Sequence, residues 1–267
     1  MGDDTSMRNY MIINIEGLDV AGKETLANNI ANYIKEHLPK EYNHLCEHLG
    51  FKVWMHSFPT YSYSVGKKIK HILTNVPVEE RNQNELDMLF AYDRLFTMST
   101  YLKKFAEKEH MFNILIVDRY YMSNLIYSTA AAIKKGVKFE EIDDKTVADS
   151  IITNTNSGWQ YLVEQKALPR PDVMYMIYRQ TEEGTNKHRE LIASKAEVDL
   201  NETDEFQSTL NSVISDYLVP HINQFMMYGT IFNTVDIGSN FDNTKVEEQC
   251  YAYIQSRIYD WLRDQTE

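Results

Sequence analysis

The stretch IINIEGLDVAGKETLANNIANYI, residues 12–34, decides the fold class. It opens with an apolar run, continues through a glycine-containing turn, and ends in a segment whose apolar residues are spaced four apart. The apolar run predicts a β-strand, and the spacing of four predicts a helix with one buried face. That face is formed by Leu26, Ile30, Ile34 and Leu38. We therefore expect a strand, a tight loop and a helix, in that order.

The turn within this stretch has the chemistry of a phosphate-binding loop. Gly17 to Lys23 fits the pattern G-x-x-x-x-G-K between a predicted strand and a predicted helix, which is the context that such a loop requires. Glycines let backbone N–H groups converge on phosphate oxygens, Lys23 reaches the outer phosphates, and the helix adds its positive N-terminal end. The residues predicted to bind the nucleotide phosphates are Gly17, Leu18, Asp19, Val20, Ala21, Gly22, Lys23, Glu24 and Thr25.

One residue departs from this pattern. Glu24 stands where a serine or threonine hydroxyl normally completes the magnesium shell, and Thr25 follows one residue late. A carboxylate at this place would bind the metal directly or be repelled by phosphate, or it would serve only the helix dipole. The sequence leaves these alternatives open.

Further strands and helices alternate along the chain. Apolar or β-branched runs predict strands at 51–58, 113–118, 172–178 and 230–236. Helical spacing occurs at 64–73, 85–109, 144–166 and 203–227. Strands that alternate with helices predict an α/β fold with a five-stranded, mostly parallel sheet flanked by helices. No linker or repeat divides the sequence, so we expect one domain over residues 1–267.

A second functional pair follows the strand at 113–118. Asp118 is its last residue, and the carboxyl end of a parallel strand is where ligands bind in open α/β sheets. The Asp118 carboxylate would hold magnesium through water, and the Arg119 guanidinium would bind a phosphate with two parallel hydrogen bonds. The alternative is an Asp118–Arg119 ion pair that only caps the strand.

Composition excludes several classes of partner. The net charge of −12 opposes binding to a nucleic-acid polymer or to an anionic membrane, and no basic patch offsets it. Cys46 and Cys250 are far apart, which suggests neither a disulfide framework nor a zinc site. The sequence shows no apolar run long enough for a membrane span and no signal peptide, so we expect a cytoplasmic protein.

With these residues in view, the sequence resembles the thymidylate kinase family of nucleoside monophosphate kinases. The matching stretches, in order, are IEGLDVAGKET, FPTYSYSVGKKIKHIL, LFAYDRL, VDRYYMSNLIYSTA, LPRPDVMYMI and DLNETDEFQSTLNSVISDYL. The resemblance implies a three-layer P-loop NTPase fold and phosphoryl transfer from ATP to dTMP, which yields dTDP and ADP. It also implies Mg²⁺ as the cofactor and a homodimer.

The resemblance assigns a substrate pocket around residues 56–130. Phe90 matches the aromatic residue that stacks on the base, and Arg94 matches the arginine that contacts the base edge and the phosphate region. An aromatic ring and an arginine four residues apart lie on one side of a helix, although a core phenylalanine beside a surface arginine would look the same. The predicted substrate-binding residues are Asp19, Phe58, Tyr61, Phe90, Arg94, Arg119, Asn124 and Tyr127.

Besides Glu24, two departures from the family pattern affect the phosphate chemistry. Tyr61 occupies the place of an arginine that contacts the acceptor phosphate, and Val20 replaces an arginine that some members carry in the loop. In members without that arginine, a lid supplies the cation. The polar stretch 179–205 is the expected lid, although a solvated helix pair would have the same composition. Its candidate cations are Arg179, Lys187, Arg189 and Lys195, of which we expect Arg189 to act.

These assignments combine into one mechanism. Lys23 and Arg189 would stabilise the transferring phosphoryl group, Arg119 would bind the acceptor phosphate, and Asp118, with Glu24 or Thr25, would hold magnesium. Two other functions stay open: a deoxynucleoside kinase, and a nucleotide-binding relative that has lost catalysis. The sequence does not determine the base preference, because Phe90 would stack on any base.

Overall fold

The chain is built outward from one central strand, β1 (Tyr10–Gly17), which is buried along nearly its whole length. The structure is a computed structural model. It describes residues 8–42, 50–77, 80–108, 110–136, 151, 158–195, 203–226, 229–237 and 244–266.

Four further strands complete the sheet around β1. They are β2 (Gly50–Ser57), β3 (Met111–Asp118), β4 (Val173–Tyr178) and β5 (Ile231–Asp236). The spatial order is β2-β3-β1-β4-β5, and every neighbouring pair is parallel. The predicted five-stranded parallel sheet is confirmed. Since β5 pairs with β4, the part of the chain beyond residue 180 contributes to the same sheet.

Helices connect the strands and cover the sheet. They are α1 (Lys23–Tyr42), α2 (Ser64–Asn75), α3 (Gln83–Ala106), α4 (Tyr121–Lys134), α5 (Gly158–Ala167), α6 (Glu182–Ala193), α7 (Asp204–Ser212), α8 (Ile222–Phe225) and α9 (Thr244–Thr266). None of these helices is long and apolar enough to cross a membrane.

Two predicted helices differ from the structure. The helix expected over 203–227 is interrupted: α7 continues as a π-helical segment, Val213–Leu218, and α8 follows after a turn. Pro220 lies in that turn, and a proline cannot donate the next helical hydrogen bond. Of the helix expected over 144–166, the structure describes Ile151 and α5, and the other residues before Gly158 lie outside the described ranges.

The core forms where helices pack on β1 to β3. The predicted inner face of α1 is confirmed, because Leu26, Ile30, Ile34 and Leu38 are each at most 1% exposed. Helix α1 packs on these strands and on α9, while α4 also packs on β1. The central strand is thereby removed from water on both faces, which is typical of a parallel sheet.

The carboxyl ends of the strands bring the candidate site together. Asp118 is paired in register with Ile15 of β1 and with Ser57 of β2, and Gly17 is paired with Ile177 of β4. Four strand ends therefore meet at one edge of the sheet, and the loops that leave them face one another. At that edge Gly17 has a φ of 136°, and the N–H of Leu18 donates to the Ile177 carbonyl at 3.1 Å.

Gly17 generates a prediction about stability. A Cβ at this position would lie 2.0 Å from the Ile177 carbonyl oxygen. Gly17→Ala should therefore lower the free energy of unfolding by about 2 kcal/mol or more, since both the backbone conformation and the close approach oppose a side chain. The measurement is urea denaturation followed by circular dichroism.

Gly50 at the start of β2 is the control. A Cβ there would meet only side-chain atoms of Met111 at 3.5 Å, an ordinary contact distance. Gly50→Ala should change the free energy of unfolding by less than about 0.5 kcal/mol. Equal effects of the two substitutions would contradict the close approach at Gly17.

Candidate active site

The loop between β1 and α1 has the bent backbone of a phosphate-binding loop. Gly22 has a φ of 83°, and Val20 has a φ of 56°, a left-handed conformation that a β-branched residue rarely adopts. Strained residues of this kind persist only where the surrounding structure holds them in place. The predicted strand, loop and helix are all present, and Lys23 is the first residue of α1.

The Lys23 side chain folds over this loop. Its side chain is buried, and its Nζ donates to the Leu18 carbonyl oxygen. Burial, assisted by the positive charge of Arg119, lowers the pKa of Lys23 to about 8. Lysine is thus still mainly protonated at pH 7, and its charge is confined to the centre of the loop.

Asp19 connects the phosphate loop to three other parts of the chain. Its carboxylate forms an ion pair with Arg119, accepts from the Tyr127 hydroxyl at 2.6 Å, and accepts from the Gln207 amide at 2.8 Å. The N–H of Asp19 donates to Gln207 at 3.0 Å. Burial favours a higher pKa for Asp19, but Arg119 and Lys23 outweigh it and hold the pKa below its usual value. Asp19 is therefore ionised, and its carboxylate holds the phosphate loop against these three side chains.

Arg119 faces Asp19 and not its sequence neighbour. It has a φ of 67°, and its N–H donates to the Ile15 carbonyl at 2.9 Å, so the chain turns sharply after β3. The guanidinium carbon lies 5.2 Å from the centre of the Tyr127 ring, within the range of a cation–π contact. The alternative in which Arg119 only pairs with Asp118 is not the arrangement that the structure shows.

Asp19 also lines a cavity, and this cavity brings together the predicted substrate-binding residues. All eight line it: Asp19, Phe58, Tyr61, Phe90, Arg94, Arg119, Asn124 and Tyr127. They come from the phosphate loop, the segment before α2, helix α3, and the segment from Arg119 into α4. The lining is mixed, with the aromatic rings of Phe58 and Phe90 and the charged groups of Asp19, Arg94 and Arg119.

Arg94 is buried in the wall of this cavity. Only 1% of it is exposed, and it donates to Glu164 of α5 through Nε at 2.6 Å and Nη2 at 3.0 Å. Its guanidinium carbon lies 5.9 Å from the centre of the Phe90 ring. The side chain therefore does not extend to the surface. Glu164 balances its charge, and a guanidinium has five N–H groups, so donors are left for a ligand.

Several cavity residues were missed by the sequence analysis. They include Arg81, Gln83, Asp87, Ser123 and Phe206. Asn124 donates to the backbone carbonyl of Asp87 at 3.2 Å, which ties α4 to α3 across the cavity. Helical spacing could have identified Asp87 as a cavity residue, since Asp87 precedes Phe90 by one turn and so lies on the same helix face.

A second cleft lies between β2, β3 and the start of α1. It is lined by Glu24, Ala27, Met55, His56, Ser57, Ile116 and Asp118. Ser57 donates to Asp118 Oδ2 at 3.3 Å, and among the described residues nothing hydrogen-bonds to the other oxygen, Oδ1, which is buried. The exposed Glu24 carboxylate and Asp118 thus line one cleft.

This cleft suits a hard divalent cation. Magnesium is typically held by one or two carboxylates together with phosphate oxygens and water, so a pair of carboxylates fits it. The buried Oδ1 of Asp118 is an oxygen with spare acceptor capacity. The described residues contain no cluster of three or more His, Cys, Asp or Glu side chains that would suit zinc or iron.

The predicted lid begins directly after β4, and much of its charge is internally paired. Arg179 is buried and donates to His188 at 2.8 Å, to Ser208 at 2.9 Å and to Asp204 at 2.7 Å. Arg189 is half exposed and donates to Asp204 at 3.2 Å. The described part of this stretch therefore contains α6, and Arg189 is its more accessible arginine. Residues 196–202 lie outside the described ranges.

His188 joins the lid to the phosphate loop. Its Nε2 lies 2.6 Å from the Asp19 carbonyl oxygen, while Nδ1 accepts from Arg179. Nε2 must therefore carry the proton, since a carbonyl only accepts. Burial lowers the pKa of His188 to about 4, so the ring is neutral at pH 7. No local sequence pattern marks His188 or Gln207, because their partner Asp19 lies far away in the chain.

Comparisons with known proteins agree with this geometry. A search of curated protein sequences finds no match. Among solved structures, the chain is similar to a thymidylate kinase from Candida albicans, with 19% identity, a TM-score of 0.58, and coverage of 94% of this chain and 93% of that one. At this identity the similarity shows the fold alone.

The decisive comparison is with a protein-family model. The model for thymidylate kinase matches residues 15–148, which is half of the chain. The match begins near the end of β1 and extends past α4, and it contains the phosphate loop, Asp118 and every residue that lines the Phe90 cavity except Phe206. The protein belongs to the thymidylate kinase family.

Proposed function

We propose that this protein transfers a phosphoryl group from ATP to dTMP, giving dTDP and ADP, where the phosphate loop meets the Phe90 cavity. The observation that carries the proposal is the position of Asp19. It is part of the loop, it lines the cavity, and it pairs with Arg119 between the two. A donor phosphate in the loop and an acceptor phosphate at Arg119 would then be neighbours, and positioning supplies much of the acceleration in phosphoryl transfer.

Each charged group has a role in this proposal. Lys23 and the loop N–H groups bind the outer phosphates of ATP, and Arg119 binds the acceptor phosphate through N–H groups that Asp19 does not occupy. Asp19 restrains Arg119, so the guanidinium is oriented before the substrate arrives. No general base is needed, because the acceptor is a phosphate monoester that is already ionised at neutral pH.

The rest of the cavity would hold the nucleoside. Phe90 stacks on the base, and Arg94 and Asn124 face its edge. Asp19 accepts from the sugar 3′-hydroxyl, and Tyr127 crowds the 2′ position, which favours deoxyribose. These roles are supported by the shared cavity and by the contact between the Tyr127 hydroxyl and Asp19 at 2.6 Å.

Asp118 and Glu24 are the proposed magnesium ligands. The cleft they share and the unpaired Oδ1 of Asp118 support this assignment. When bound, magnesium neutralises charge on the phosphate oxygens of ATP. Ser57 donates to Asp118 Oδ2, so Oδ1 is the oxygen that would bind the ion or one of its water ligands.

One assay separates this proposal from the two alternatives. Purified protein is incubated with ATP and Mg²⁺ and with either dTMP or thymidine, and ADP release is coupled to NADH oxidation. ADP release with dTMP supports the proposal, release only with thymidine supports a deoxynucleoside kinase, and release with neither supports a non-catalytic relative. Lys23→Ala is the control and should abolish turnover, because it removes the cation at the centre of the loop.

We also propose that the protein is a cytoplasmic homodimer that associates through α3. Met88, Tyr92 and Phe96 are 61%, 58% and 51% exposed, and they follow one another at a spacing of four. Large apolar side chains in one exposed row are typical of an interaction surface.

The cytoplasmic location is supported by the two separated cysteines, and imaging of a tagged chain would test it.

The first prediction from the proposed function concerns Glu24. If its carboxylate belongs to the metal shell, Glu24→Ser should raise the Mg²⁺ concentration for half-maximal activity by roughly threefold to tenfold and leave the enzyme active. Glu107→Ser is the control: this exposed residue follows α3 near the start of β3, at the opposite edge of the sheet, and should leave the magnesium dependence unchanged. An inactive wild type that gains activity with Glu24→Ser would instead identify Glu24 as a trace of lost catalysis.

The second prediction concerns Arg189. Arg189→Ala should lower kcat by on the order of 10³ with little change in KM, because an arginine of this kind acts on the transition state. Lys187→Ala, two residues earlier and also half exposed, should change kcat by less than about twofold. Near-normal kcat in Arg189→Ala would transfer the role to another cation of the lid.

The third prediction concerns the dimer. Introducing charge into the exposed row by Tyr92→Lys and Phe96→Lys should convert a particle of about twice 31.3 kDa into a monomer, measured by sedimentation equilibrium. Tyr259→Lys is the control, because Tyr259 is 67% exposed on a different helix, α9, which packs on α1. A wild-type monomer, or a dimer that survives the double substitution, would contradict the proposed interface.

A further inference from the structure

Asp87 is a buried carboxylate that none of the roles above uses. It is 1% exposed and lines the cavity that also contains Phe90 and Arg94. It precedes Phe90 by three residues and Arg94 by seven, so all three lie on one face of α3. A carboxylate beside the aromatic wall and the proposed base-edge arginine is placed to meet the same ligand.

Neutral groups hold this carboxylate in position. Gln83 donates to Oδ1 at 2.8 Å, and the Ser128 hydroxyl donates to Oδ2 at 2.9 Å. No lysine or arginine in the part of the chain that the structure describes forms an ion pair with Asp87, and Arg94 is taken by Glu164. Each carboxylate oxygen has two acceptor sites, and one on each is used, so two acceptor sites are left.

Burying a charged carboxylate without a counterion costs free energy unless hydrogen-bond donors satisfy its oxygens. Burial raises the pKa of Asp87 to about 7, although the hydrogen bonds from Gln83 and Ser128 oppose the rise. The charged groups nearby are Arg94 on α3, Glu164 on α5, and Arg81 before α3, which lines the same cavity. The residues that α4 presents to Asp87, Asn124 and Ser128, are neutral.

The bases differ in what they would offer such an acceptor. Thymine has one ring N–H between two carbonyls, and guanine has a ring N–H beside an amino group. Cytosine and adenine have an unprotonated ring nitrogen at the corresponding place, and its lone pair would face the carboxylate. A site that needs a hydrogen bond from the ligand rejects an analogue that lacks the donor, because its buried polar group is then left unpaired.

We propose that Asp87 reads the base by accepting a hydrogen bond from a ring N–H, so that thymine and guanine are preferred to cytosine and adenine. The inference rests on the proposed function, because it assumes that the Phe90 cavity holds a nucleotide base. It adds a specificity-determining residue and predicts that dGMP is used better than dAMP.

The test compares substrates of matched size. In wild type, kcat/KM should be about 100-fold higher for dTMP than for dCMP at pH 8, and higher for dGMP than for dAMP. Asp87→Asn keeps the shape but offers an N–H as well as an oxygen, so it should reduce the dTMP/dCMP ratio by about tenfold or more. Asp93→Asn is the matched control, since Asp93 is 2% exposed on the same helix, accepts from the Thr60 N–H at 2.7 Å, and does not line the cavity.

The pH dependence separates base reading from a merely structural role. Below pH 7 a protonated Asp87 would donate to the cytosine ring nitrogen, so the dTMP/dCMP ratio of wild type should fall between pH 8 and pH 6. The ratio cancels the ionisation of the substrate phosphate, which the two nucleotides share. Asp87→Asn should show no such fall. Ser128→Ala is a second variant: loss of its donor raises the pKa of Asp87 further, so the fall should begin at higher pH.

The outcomes distinguish this inference from the proposed function. Phosphorylation of dTMP with an unchanged dTMP/dCMP ratio in Asp87→Asn, or a ratio independent of pH in wild type, would overturn the role of Asp87 and leave the kinase intact. No phosphorylation of any deoxynucleoside monophosphate would overturn the function. In that case calorimetry would measure the affinities of dTMP and dCMP for wild type and for Asp87→Asn. Equal affinities of wild type for dTMP and dCMP would overturn the role of Asp87 in base recognition.

Discussion

The ion pair between Asp19 and Arg119 is the interaction on which the rest of the site depends. Asp19 belongs to the loop after β1, and Arg119 follows β3, so the pair connects two neighbouring strand ends. Tyr127 and Gln207 add hydrogen bonds from α4 and α7. Both side chains of the pair are 16% exposed, and these extra donors help to offset the hydration that the two charges lose. The same contacts that neutralise Asp19 therefore place the loop, the cavity and α7 in one arrangement.

The cavity also contains buried charged groups that are held by hydrogen-bonding partners from other parts of the chain. Arg94 is buried with Glu164, and Asp87 is buried with Gln83 and Ser128. Apolar residues of similar volume would often stabilise a fold equally well, so these groups are a poor explanation of stability. They are a good explanation of recognition, because they present directed donors and acceptors in a pocket that is otherwise aromatic. The lid has a similar arrangement, in which Arg179 orients His188 toward the Asp19 carbonyl.

Sequence reasoning recovered what depends on local pattern and on strand polarity. The central strands β1, β3 and β4 were predicted because buried parallel strands are continuous apolar runs. The edge strands β2 and β5 are less buried, and their β-branched and aromatic residues predicted them. Asp19, Phe58 and Arg119 lie close together because parallel strands end at one edge of the sheet. Phe90, Arg94, Asn124 and Tyr127 lie on α3 and α4, and the family resemblance assigned them to the same pocket. The helix predicted over 203–227 was wrong in one particular, since the apolar spacing continues past Pro220 whereas the backbone hydrogen bonding does not. Asp87 and His188 were missed because a polar residue on an amphipathic helix reads as solvent-exposed until its partner is known.

The amino-acid sequence by itself determined the phosphate loop, because its glycines, Lys23 and the following helix act over a few consecutive residues. It also determined that Asp118 ends a strand and that Phe90 and Arg94 share a helix face. Only the tertiary structure decided which charged and polar groups form contacts with one another. Arg119 pairs with Asp19 across 100 residues, Arg94 pairs with Glu164 across 70, and His188 reaches Asp19 across 169. Partners at such separations are chosen by how helices pack on the sheet, and no local pattern records that choice.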